Sequence, residues 1–69
     1  MPPYEKVIRF TTPVYEIPKE KGSNDLHNLV RQLPSEDVVE KDGEYKILRS
    51  LAADKLVDRL VKYYGYYRA

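Results

Sequence analysis

Sixty-nine residues leave room for one domain spanning 1–69, with a single core and no separate catalytic unit. Cysteine is absent, which excludes disulfides and thiolate metal sites, and the lone histidine, His27, does not make a zinc site by itself. Charged residues make up 33% of the chain but the formal net charge is only +1, so the basic excess that drives non-specific polyanion binding is missing.

Apolar runs reach only two or three residues, far below the roughly 20 of a membrane span or the about 7–15 of a signal-peptide core. The expectation is a cytoplasmic protein with no membrane partner. A chain this short buries only about 60% of its unfolded surface, so tight packing or self-association has to supply stability. Gln32 is the one glutamine and Met1 the one methionine, a composition that follows the trend of thermophile proteins.

From Tyr4 to Ile17 the chain reads as extended, because Val7, Ile8, Phe10, Val14, Tyr15 and Ile17 favour strands while Pro13 and Pro18 oppose a helix. Ile8 and Phe10 share one parity and Tyr15 and Ile17 the other, which predicts a bulge or corner around Thr11-Thr12-Pro13, with Pro13 on a sheet edge. A polar loop, Lys19 to Gly22, leads to capping candidates Ser23, Asn24 and Asp25. The stripe Leu26, Leu29, Val30, Leu33 then predicts a first helix of about two and a half turns, stopped by Pro34.

Asp42-Gly43 between β-favouring runs predicts a two-residue type I′ hairpin. Its register sets Lys41 opposite Glu44, Glu40 opposite Tyr45, Val39 opposite Lys46 and Val38 opposite Ile47, so opposite charges meet beside the turn. Ser50 is placed to cap a second helix with the apolar stripe Ala53, Leu56, Val57, Leu60, Val61 and Tyr64, ended by Gly65. Residues 66–69 read as a tail that frays. The order defines an α+β fold: a two-layer β(β)-α-β-β-α sandwich with a three- to four-stranded sheet and both helices on one face, the first strand joining the hairpin through a right-handed crossover.

That arrangement leaves the other sheet face open. With Ile8, Phe10, Val38, Tyr45 and Ile47 directed inward, Val7, Arg9, Thr11, Val39, Lys46 and Leu48 point away. A half-apolar, half-basic face without aromatic residues suits a protein interface, and it equally suits a solvated sheet of β-branched residues. Four of the seven tyrosines lie at positions 63, 64, 66 and 67, beside Lys62 and Arg68. Such rings stack on bases or pack in protein interfaces; alternatively Tyr64 and Tyr67 complete the core stripe of the second helix.

Carboxylates fall in loops, caps and turns, no serine sits in a nucleophile elbow, and the glycines are too dispersed to cradle a phosphate. The expectation is a non-enzyme with no catalytic residues, no cofactor, no metal and no small-molecule substrate. Two functional classes stand. The first is an interaction module that forms a homodimer or docks into a larger assembly through Val7, Arg9, Val39, Lys46, Leu48, Tyr63, Tyr66 and Tyr67, with the strand edge near Pro13 as a further route. The second is an RNA or single-stranded-DNA binder using Arg9, Lys46, Lys62, Tyr63, Tyr66, Tyr67 and Arg68. Steep salt dependence of binding separates the two.

Overall fold

Parity along the first extended segment is resolved by a chain reversal. A computed structural model describes residues 4–19 and 24–69. After a short 3-10 turn at Tyr4–Lys6, strand β1 (Val7–Thr11) and strand β2 (Val14–Pro18) pair antiparallel, with Thr11 opposite Val14, Phe10 opposite Tyr15 and Arg9 opposite Glu16. A loop of two residues, Thr12 and Pro13 joined by a cis peptide, connects them. Even-numbered residues of β1 therefore face odd-numbered residues of β2, and the parity change expected to mark a bulge or corner is a hairpin turn. Pro13 lies in that turn and β2 is the central strand of the sheet, so Pro13 does not mark an edge.

The capping candidate Ser23 and the loop residues 20–22 lie outside the described residues. Helix α1 (Asp25–Val30) is shorter than its apolar stripe, and Asn24 at its N-cap makes no side-chain capping bond. Beyond Val30 the amides of Gln32 and Leu33 bond back to Leu29 and Val30, the three-residue spacing of a 3-10 turn, so the chain tightens before Pro34. A second 3-10 turn, Ser35–Asp37, leads into strand β3 (Val38–Lys41).

Strands β3 and β4 (Glu44–Leu48) form the predicted hairpin in the predicted register, with Lys41 opposite Glu44, Glu40 opposite Tyr45, Val39 opposite Lys46 and Val38 opposite Ile47. Asp42 at φ 54° and Gly43 at φ 76° supply the two left-handed positions that a type I′ turn requires. Helix α2 (Leu51–Tyr63) starts where Ser50 accepts the Ala53 amide at 3.0 Å and ends at Gly65, whose φ of 74° turns the chain away.

The tail is ordered. Strand β5 (Tyr67–Arg68) pairs parallel to β1, Val7 with Tyr67 and Ile8 with Arg68, and the Ala69 amide donates to the Ile8 carbonyl at 2.9 Å. The sheet is thus mixed and five-stranded, in the order β3-β4-β2-β1-β5, rather than three- or four-stranded with a frayed end. β2 is joined to the second hairpin by antiparallel pairing with β4, Val14 opposite Leu48 through Pro18 opposite Glu44. Among the described residues no helix is long and apolar enough to cross a membrane.

The core draws Ile8, Ile17, Tyr45 and Ile47 from the strands, Leu26 and Val30 from α1, Ala53, Leu56, Val57 and Leu60 from α2, and Tyr66 from the tail. Phe10 has the parity of Ile8 yet is 47% exposed; its ring leans on Tyr15, with centroids 4.9 Å apart. Tyr66, expected among accessible tyrosines, is only 2% exposed and donates its hydroxyl to the Pro18 carbonyl at 3.1 Å. Lys6 lies over its ring and donates to the Tyr64 carbonyl at 2.9 Å, placing a cation at the negative end of α2.

Two core-side phenols are held protonated. Tyr15 donates to Asp54 Oδ1 at 2.5 Å, and this bond, reinforced by burial, raises its pKa; burial does the same for Tyr45. A raised folded-state pKa means stability that is full below the ordinary tyrosine value of about 10 and lost as pH rises through the folded values. Titration of phenolate absorbance should show Tyr15 and Tyr45 ionising late in the native chain and normally in denaturant, with Tyr15→Phe removing one late-ionising group. Ordinary titration of all tyrosines in the folded protein would rule out the Tyr15–Asp54 bond.

Candidate interaction face

Strand register assembles the open face row by row. Arg9, Glu16, Lys46 and Val39 stand side by side across β1, β2, β4 and β3. Thr11, Val14 and Leu48 make the row on one side, and Pro18, Glu44 and Lys41 belong to the row on the other. Alternation along each strand puts these side chains opposite Ile8, Ile17, Tyr45 and Ile47, the residues that reach the core.

The centre of this face is an ion-paired lattice. Arg9 reaches Glu44 at 2.7 Å and Glu16 at 3.2 Å, and Lys46 reaches Glu16 at 3.4 Å. Both carboxylates are mostly covered, at 15% and 18% side-chain exposure for Glu16 and Glu44, so the cations lie across them. Cross-strand neighbours of opposite sign stabilise a sheet, and shared partners fix the geometry of each side chain. The lattice therefore presents a pre-ordered surface of nearly cancelled charge.

Against it lies a hollow of about 430 Å³ in which Val14, Val39 and Leu48 supply the apolar surface and Thr11, Glu16, Lys46, Glu36 and Asp37 the polar lining. Val39 is 56% and Leu48 44% exposed. A β-branched and a branched aliphatic side chain left this open, next to each other on a sheet, form the apolar part of the surface.

Of the residues expected at an interface, Val7, Arg9, Val39, Lys46 and Leu48 all lie on this face. Tyr67 joins them through its pairing with Val7, so the face carries an aromatic residue where none was expected. Tyr63 and Lys62 are exposed on α2, away from it, and Tyr66 is in the core. Arg68 is ion-paired with Asp58 of α2. Sequence reasoning passed over Val14, Glu16, Pro18 and Glu44; the signal was present, since Tyr15 and Ile17 pointing inward force Val14, Glu16 and Pro18 outward.

Other polar clusters have structural partners. His27 Nδ1 lies 3.0 Å from the Tyr45 hydroxyl, tying α1 to β4. Lys19 pairs with Glu40 at 2.6 Å and covers the Tyr45 ring; the bond raises the Lys19 pKa and lowers that of Glu40. Among the described residues no three His, Asp or Glu side chains converge as a metal-ligand set. No protein-family model, no curated protein and no solved structure matches the chain.

Proposed function

We propose that this is a small, non-catalytic interaction module in a two-layer arrangement, both helices covering one face of the sheet and the other face recognising protein. The observation that carries the reading is the hollow of Val14, Val39 and Leu48 set beside the Arg9–Glu16–Lys46–Glu44 lattice. An apolar patch bordered by ordered polar groups is the anatomy of an association surface. Nucleic acid is the weaker reading: Arg9 and Lys46 are occupied by carboxylates, Arg68 by Asp58, and Tyr67 is the one aromatic side chain on that face among the described residues.

Sedimentation across a concentration series tests this. The chain is expected to associate, with itself or with a captured protein, and Leu48→Asp should abolish association. Because Leu48 is half exposed, the same substitution should change unfolding free energy by no more than about 0.5–1 kcal/mol. A Leu48→Asp chain that associates undiminished would reject the face. Tight, steeply salt-dependent binding of a single-stranded oligonucleotide by an otherwise monomeric chain would replace this reading with the second one.

A further inference from the structure

The outer strand β3 borders the proposed face, and among the described residues it has β4 on one side and no strand on the other. Its free groups follow from the ladder. Lys19 N donates to the Gly43 carbonyl at 2.9 Å and Arg49 N to the Pro13 carbonyl at 2.8 Å, at the two ends of the β2–β4 pairing. Odd-numbered residues of β4 therefore bond toward β2, and Glu44 and Lys46 bond toward β3. Their partners Lys41 and Val39 are then turned inward, while the backbone of Val38 and Glu40 faces outward. The Val38 amide is already used by the Ser35 carbonyl, which leaves the Val38 carbonyl and both groups of Glu40.

We infer, resting on the proposed function as an interaction module, that β3 pairs antiparallel with β3 of a second copy about a two-fold axis at Val39. Symmetric pairing through outward-facing residues permits few registers, and charge selects among them. An axis at Glu40 sets two glutamates against each other. An axis at Val38 brings Glu36 of each copy toward Glu40 of the other. The axis at Val39 sets Val39 against its own copy, Val38 against Glu40, and Lys41 against Asp37. Each Glu40 N–H donates to a Val38 carbonyl across the axis.

Complementarity supports this occupant. Neither Lys41 nor Asp37 takes an ion-pair partner among the described residues, and the pairing gives each the other. The Glu40 charge, which by itself would oppose a second strand at this edge, is already answered by Lys19. The row Arg9–Glu16–Lys46–Val39 runs on across the axis into its own copy, so the two apolar hollows join and the two sheets become one.

Cysteine substitution tests the register in a chain that has no cysteine of its own. At a non-hydrogen-bonded antiparallel pair the two Cα atoms lie about 4.5 Å apart, within disulfide range, so Val39→Cys should give a covalent dimer on mild oxidation. Leu48→Cys, one strand further in and two residues along from the axis row, would sit about 20 Å from its copy and should not link. Lys41→Asp should weaken dimerisation roughly tenfold, and Lys41→Asp with Asp37→Lys should restore it. Any damage from placing a carboxylate at position 41, beside Glu44, is common to both variants, so restoration reports on the contact between copies. Efficient linking through Leu48→Cys, or failure of the double substitution to restore dimers, overturns the edge pairing and leaves the face as the module's surface. A chain that stays monomeric at every concentration and captures no protein overturns both.

Discussion

Replacing Tyr66 with alanine is expected to remove about 3–5 kcal/mol of unfolding free energy, comparable to all that a core in so short a chain supplies. The ring is buried among the core residues of α2 and the sheet, and its hydroxyl holds the Pro18 carbonyl at the end of the central strand. It thereby anchors the tail that forms β5. Tyr66→Phe keeps the ring and deletes one hydrogen bond, so the loss should fall to about 1 kcal/mol. Urea unfolding followed by circular dichroism checks both. A Tyr66→Ala chain with nearly native stability would mean that the tail is not packed on β1 and that the sheet has four strands.

The second large effect is at Ile17, which is fully buried in β2 between β1 and β4. Ile17→Ala should cost about 2–5 kcal/mol, because the lost methyl groups leave a cavity walled by strands that cannot collapse into it. Phe10→Ala is the informative contrast. Phe10 is the larger side chain and shares the core parity of Ile8, yet at 47% exposure it should cost only about 1 kcal/mol, mostly the ring contact with Tyr15. Equal losses at the two positions would show that Phe10 is covered in solution, as it would be if a partner or a second copy lay over that end of the sheet.

Local chemistry explains which parts of this fold were readable in advance. Asp42-Gly43 specifies its own turn, and a two-residue loop leaves a single register, so each pair of the β3–β4 ladder was legible down to Lys41 opposite Glu44. Ser50, the apolar stripe and Gly65 likewise delimit α2 through capping and positive φ, which depend on a few adjacent residues. Val39, Lys46 and Leu48 were placed on the opposite face by the hairpin register, and Val7 and Arg9 by alternation with Ile8 in the first strand. What the same reasoning left incomplete was β2: the parity change at Thr11-Thr12-Pro13 fits a bulge, a corner or a reversal equally well, since each shifts the alternation by one. Without knowing that β2 sits between β1 and β4, neither Glu16 nor Glu44 could be placed against Arg9.

By itself the sequence determined the second hairpin, the second helix and the division of their side chains between two faces, because those features depend on turn stereochemistry, capping and alternation within a few residues. Only the tertiary structure decided that Pro13 turns the chain, that the tail adds a parallel fifth strand with Tyr66 inside and Tyr67 outside, and that four charges close into one lattice on the open face. Those outcomes depend on contacts between residues as far apart as Val7 and Tyr67, whose pairing depends on the packing of the whole sheet rather than on any short stretch of chain.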